Sequence, residues 1–142
     1  MATITKQFLD TLARNFMEDR LDAVAEHFVF PIPLYAQDSL QVFGAPCTFK
    51  EVLTLYRDAT VRTGVTNIVP RILAEGIPVN GYSNLWVEWD HYDTAGTCVR
   101  TSQVHYILFC DAAMLFPKIE LVEYKVLAFP EVPESFVLAK IA

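Results

Sequence analysis

Apolar positions follow two different periods along the chain. Ile4, Phe8, Leu9, Leu12, Phe16 and Met17 recur at helical spacing, and Thr3 or Thr5 can cap that helix. A second, shorter helix is expected from about Leu21 to His27, with Asp19 as its cap and Leu21, Val24, Ala25 and Phe28 as its stripe. Pro31 and Pro33 end helical structure, so Val29 to Tyr35 reads as extended chain, an edge strand because it lacks two amide donors. After a turn at Ala36-Gln37-Asp38-Ser39, Leu40, Val42 and Phe43 suggest a short returning strand, broken by Gly44-Ala45-Pro46. Thr48-Phe49-Lys50-Glu51 has the form of a capping box, and Val52, Leu55, Tyr56 and Ala59 supply the buried face of a third helix that Gly64 ends.

Beyond Gly64 the period falls to two. Val65 to Leu73, Leu85 to Tyr92, Val99 to Cys110 and Ile119 to Phe129 read as strands. The middle pair flanks Thr94-Ala95-Gly96, a short hairpin loop. Short loops between these late strands require antiparallel pairing, because a parallel crossover needs about a dozen residues or more. The order is α-α-β-β-α-β-β-β-β, an α+β chain with a curved antiparallel sheet over helices enclosing a pocket, one domain over residues 1–142.

Composition narrows the function classes. The net charge of −6, with 11 scattered Lys and Arg, argues against nucleic acid. No apolar run is long enough to span a membrane, and Lys6 and Asp10 near the N-terminus argue against a signal peptide. Cys47, Cys98 and Cys110 are odd in number and form no CxxC, as expected of reduced thiols in a cytoplasmic protein. The three His and three Cys lack metal-ligand spacing, and there is no Gly-rich loop or nucleophile elbow, so neither metal nor cofactor is expected. Apolar residues make up 53% of the chain and aromatics 13%, an excess that a lined cavity or a self-association surface would absorb.

The element order, the Leu21-Asp22-Ala23-Val24 helix leading to Phe28, and the Trp89-to-Tyr106 hairpin with its Asp93-Thr94-Ala95-Gly96 loop carry a resemblance. On these features the chain resembles, over essentially its whole length, the NTF2-like, SnoaL-like group. That resemblance implies a cone-shaped α+β domain with a deep pocket and frequent homodimers. It leaves function open, since the group mixes isomerases, dehydratases, cyclases, epoxide hydrolases and domains with no known reaction. Ketosteroid isomerases of this fold carry a Tyr on the first helix, and residues 3 to 20 here contain none. Epoxide hydrolases of this fold use an Arg-x-Asp strand motif, whereas Arg100 is followed at that spacing by Ser102.

The richest polar stretch is Glu88-Trp89-Asp90-His91-Tyr92-Asp93, facing Arg100, Thr101, Gln103 and His105. A three-residue loop puts Asp90 opposite Arg100 and gathers Trp89, His91 and His105 on one face. A two-residue loop puts His105 opposite Trp86 and flips the pairings. The three-residue loop is preferred, because it pairs Asp90 with Arg100 and places Gly96 where a left-handed residue is wanted. Tyr56, Trp89, His91 and His105 are then the candidate ligand-binding residues, with Phe16 or Phe28 in the wall. His91, His105 and Asp90 are the candidate catalytic groups, since a His beside a carboxylate in an apolar cavity can move protons. The competing reading of Asp90 and Arg100 is a solvated cross-strand pair. The chain is therefore expected to bind a small apolar molecule, or alternatively to act as a cofactor-independent isomerase, dehydratase or cyclase. A water-excluded His–carboxylate pair in the pocket would favour the second reading.

Both faces of the late strands are apolar: Ile107 and Phe109 on one, Val104, Tyr106 and Leu108 on the other. One face can pack on helices. A patch of several hundred Å² left on the other would forgo on the order of 10 kcal/mol of burial, so a homodimer through the outer face is expected. The alternative cover is the tail from Pro130 to Ala142, with Phe136, Val137 and Leu138.

Overall fold

A computed structural model describes residues 3–132 and contains the nine elements in the expected order. Helix α1 (Ile4–Met17) starts at Thr3, whose hydroxyl accepts from the Lys6 amide at 3.1 Å. It buries Phe8, Leu9, Leu12 and Ala13. Helix α2 is Leu21–Ala25. Its N-cap is Arg20 rather than Asp19, because Asp19 sits in the left-handed region at φ 62 and reverses the chain between the helices. Helix α3 is Pro46–Arg62. The expected capping box lies inside the helix, starting in its first turn: Pro46, with φ already fixed near the helical value, opens the helix and Ala45 caps it without a side-chain bond.

The strands are β1 (Ile32–Ala36), β2 (Ser39–Phe43), β3 (Val65–Glu75), β4 (Tyr82–Asp93), β5 (Cys98–Phe109) and β6 (Lys118–Val126). They form one curved, unclosed sheet in the order β2-β1-β6-β5-β4-β3. The four long strands pair antiparallel with one another. The sheet is not antiparallel throughout, however, for β1 joins β6 in parallel through Leu34–Val122 and Tyr35–Glu123. These two strands are separated in the chain by α3 and four strands, so no short loop dictates their direction. The same insertion makes β1 an interior strand, and β2 takes the edge.

The hairpin tip forms as the three-residue loop requires. Gly96 has φ 80 and its amide bonds to the Asp93 carbonyl at 3.0 Å, while the Asp93 carboxylate accepts from the Ala95 and Thr97 amides. The pairing beyond the tip differs. Tyr92 faces Cys98 and His91 faces Arg100, leaving Val99 as a bulge. That extra residue shifts every later pair by one, so Asp90 faces Thr101 and Trp86 faces His105. A second irregularity in the β5–β6 ladder, around Glu120, lets both Ile119 and Val122 turn inward.

The helices cover the inner face of the sheet. Leu85 and Val87 of β4, Val104, Tyr106 and Leu108 of β5, and Ile119 and Val122 of β6 meet Phe8, Leu9, Leu12, Val24, Phe49 and Val52 in one core. After β6 the chain turns across the open end of the sheet. Phe129 and Val132 pack there on Ala59 of α3 with Tyr56 alongside.

Candidate functional site

The inner face does not fill completely. Between α1, α3 and the middle strands lies a cavity of about 130 Å³. Its lower wall is aliphatic and aromatic, with Leu12 and Phe16 from α1, Phe28 after α2, and Phe49 and Leu53 from α3. Its upper wall is built by Tyr56 and Thr60 of α3, Trp89 and His91 of β4, Ser102 and Tyr106 of β5, Tyr124 of β6 and Phe129.

Three of the expected binding residues, Tyr56, Trp89 and His91, therefore line this cavity, as do both Phe16 and Phe28. Alternation explains it: Leu85, Val87, Trp89 and His91 share the inward face of β4. His105 is the correction. The Val99 bulge turns it outward, where its ring stacks on Trp86 at 4.8 Å. There Nδ1 lies 3.2 Å from Glu123 and Nε2 2.7 Å from the Asn84 side chain. Asp90 is outward too, accepting from Thr101 at 3.3 Å and lying 3.7 Å from Arg71. Glu88 on the same outer strip is ion-paired with Arg71 and accepts from Gln103 at 3.0 Å. The Asp90–Arg100 pair does not form. Arg100 follows His91 to the inner side, where it donates to the Ala128 carbonyl at 2.7 Å and stacks over the Phe129 ring at 5.1 Å.

The polar groups of the cavity mostly hold each other. Trp89 Nε1 donates to the Tyr106 hydroxyl at 3.0 Å, which fixes the indole as a wall. His91 Nδ1 lies 3.1 Å from the Trp89 carbonyl and its ring meets Phe129 edge-on at 5.6 Å. Thr60 donates to the Tyr56 carbonyl at 2.7 Å, and Ser102 accepts from the Ala128 amide at 3.1 Å. The Tyr56 hydroxyl is buried with no hydrogen-bond partner, the one such fully buried side-chain atom among the described residues.

Burial sets the charge of the site. Desolvation lowers the pKa of His91, so the ring is neutral at neutral pH. Desolvation raises the phenols, Tyr56 and Tyr106 strongly and Tyr124 up to about 12, so all three keep their protons. No Asp, Glu, Lys or Arg lines the cavity. No cluster of three or more His, Cys, Asp or Glu suited to a metal occurs among the described residues.

Phe129 and Arg100 are the parts that sequence reasoning missed. Leu127-Ala128-Phe129 reads as the end of a strand, yet β6 stops at Val126 and the segment becomes a strap closing the cavity. One signal was available: an Arg at an inward strand position needs a partner, and an aromatic followed by Pro130 offers one.

No family model and no curated protein matches the sequence. Solved structures do resemble the fold. An NTF2-like protein of unknown function from Shewanella oneidensis MR-1 is 13% identical, with 85% of this chain and 95% of that chain covered at a TM-score of 0.62. A domain of unknown function with a cystatin-like fold from Nostoc punctiforme PCC 73102 is 12% identical over 96% of this chain and 82% of that one, TM-score 0.65. An NTF2-like protein with a cystatin-like fold from Novosphingobium aromaticivorans is 9% identical over 87% and 79%, TM-score 0.63. At such identities the likeness is one of architecture, and that architecture, shared across nearly the whole chain, is the NTF2-like, cystatin-like fold.

Proposed function

We propose that this domain binds a small, predominantly apolar molecule in its cavity, as a receptor or carrier. The observation that supports this is the lining: aromatic and aliphatic walls, a few oriented polar groups and no carboxylate. Proton transfer of the isomerase or dehydratase kind needs a base near a reacting carbon. The carboxylate expected beside the histidines, Asp90, instead lies on the outer face, and Glu123 meets His105 on that face, away from the cavity. His91 alone is held neutral by burial and engaged with backbone.

The test is a screen of neutral fragments of roughly ring size, followed by quenching of tryptophan emission. Ala13 lines the cavity from α1, so Ala13→Met places a flexible side chain in the empty space. Binding that is seen in the wild type should fall at least tenfold in this variant, with little change in melting temperature. Equal binding by the filled variant would place the ligand elsewhere.

We also propose a homodimer through the outer face of the sheet. Tyr35, Leu40 and Val42 project there at 40%, 52% and 51% exposure, with Trp86 across the sheet. The rival cover receives no support from the described part of the tail, since Phe129 and Val132 turn toward α3 on the opposite face. Phe136, Val137 and Leu138 lie outside the described residues. Light scattering at micromolar concentration should return twice the 16.1 kDa chain mass. The double variant Leu40→Glu, Trp86→Glu should return one chain mass. A monomeric wild type removes the interface.

A further inference from the structure

The two edges of the sheet are finished differently. At one end β3 carries Pro70 in mid-strand and two breaks in its ladder, between Val65 and Asn67 and between Ile72 and Ala74. A proline and bulges blunt an edge against further pairing. At the other end β2 has neither, and no described strand lies beyond it. Which of its backbone groups face outward follows from the hairpin. Gln37 and Asp38, at φ 52 and 60, form a two-residue turn, so Ala36 and Ser39 are a hydrogen-bonded pair. Bonded and open pairs alternate along an antiparallel ladder, which makes Tyr35–Leu40 and Pro33–Val42 the open ones. Pro33, with no amide hydrogen to give, agrees with that phase. The N–H and C=O groups of Leu40 and Val42 therefore point away from β1, and both side chains are half exposed on the outer face.

We propose that β2 pairs with β2 of a second copy about a two-fold axis at Gln41, so that the two sheets continue edge to edge. The inference rests on the homodimer reading and narrows its contact to the edge. Leu40 and Val42 flank Gln41, so an antiparallel copy sets Leu40 of each chain opposite Val42 of the other. In that register every outward N–H of one strand meets an outward C=O of the other. The half-exposed Leu40 and Val42 side chains also cover one another on the outer face, with Tyr35 beside Leu40 on β1. The paired segment Ser39–Phe43 carries no charge, so it sets no like charges opposite each other although the whole chain carries −6. The residues beyond Val132 are a poorer occupant of the edge. Val132 shares a small recess with Ser39, Gln41 and Phe43, the inward-facing residues of β2, so the chain passes under the strand rather than beside it.

Hydrogen exchange on the full chain, with light scattering for its mass, tests this. The wild type should be a dimer whose Leu40 and Val42 amides exchange slowly, and more slowly as protein concentration rises. Val42→Pro removes an amide that the β1–β2 ladder does not use, so the fold keeps its own hydrogen bonds. It should weaken the dimer by at least about tenfold, since each strand loses one bond to its copy. Leu40→Lys, which charges the edge, should do the same and serves as the second variant if the proline disturbs β2; an unchanged far-ultraviolet circular dichroism spectrum checks both. Trp86→Glu should leave the dimer intact, because Trp86 lies on β4 with β1, β6 and β5 between it and the edge. If Trp86→Glu gives monomer while Val42→Pro does not, or if a wild-type dimer exchanges Leu40 and Val42 freely, the edge assignment is wrong and the homodimer reading survives. A monomeric wild type overturns both, and slow Leu40 and Val42 amides in that monomer would give the edge to the chain's own residues beyond Val132.

Discussion

Phe129→Ala is expected to lower stability by about 3 kcal/mol and to widen the cavity. Phe129 is 2% exposed and closes the upper wall, contacting His91 edge-on and taking the Arg100 guanidinium on its face. Truncation removes the buried ring, the cation–π contact and the closure at once. For a chain of this length about 3 kcal/mol corresponds to a fall of roughly 10 °C in melting temperature. The loss has a ceiling. The strap can detach locally without unfolding the sheet, so the measured value cannot exceed the free energy of docking residues 127–132. Hydrogen exchange separates the two cases: the Ala128 amide, bonded to Ser102 at 3.1 Å, should exchange much faster in the variant while amides of β4 and β5 keep their order. A variant that melts like the wild type, with Ala128 still protected, would mean that Phe129 does not hold the strap.

Acidification should destabilise the protein from about pH 6.5 downward, with His91 as the main source. Desolvation lowers the pKa of His91 in the folded state below its ordinary 6.5. The unfolded chain then binds a proton that the folded chain refuses, and stability rises with pH wherever that holds. The contribution is fully present above 6.5 and is lost as pH falls toward the folded pKa of His91, with a slope approaching 1.4 kcal/mol per pH unit. His27, lowered chiefly by burial against Phe8 and Phe116, acts with the same sign but is only half buried and adds less. Glu123 is an opposite kind of group, a carboxylate lowered by Lys125 and His105; its stabilisation is lost only in the carboxylate range. Melting temperatures from pH 8 to 5 should therefore decline below neutrality in the wild type. The decline should flatten in His91→Asn. Parallel curves for the two proteins would assign the effect elsewhere.

How far the site could be read before the structure turned on one residue. Periodicity suffices for the helices and the long strands, because α1 and α3 repeat apolar residues at helical spacing and β4 and β5 alternate along most of their length. Parity along β4 was sufficient for Trp89 and His91, since both lie on one strand and no pairing is needed to put them on one face. His105 needed the pairing across the hairpin. Gly96 marks the tip, yet Val99 is a β-branched residue of the kind a regular strand carries and bears no mark of a bulge. The error propagated to Asp90 and Arg100, whose partners are Thr101 and Ala128 rather than each other. At α3 the difficulty was of another kind. Pro46 ends an extended segment and opens a helix equally well, so Thr48-Phe49-Lys50-Glu51 looked like a start when it was already the first turn.

The Val99 bulge also sets how the length of this hairpin can change. It is a spare residue: with Val99 gone, Arg100 would follow Cys98 directly into the pairs facing His91 and Tyr92. Val104 and Tyr106 would still face the core, and His105 would still face outward. A one-residue deletion in this part of β5 can thus be absorbed by straightening the ladder, at the loss of local twist. A one-residue insertion has no such reserve. It must be taken up by a second bulge or turn the strand over, exchanging Val104 and Tyr106 for Gln103 and His105 on the inner face. Like a reading frame, the hairpin tolerates one kind of single-step change and is scrambled by the other, so related chains should vary here by losing residues more readily than by gaining one.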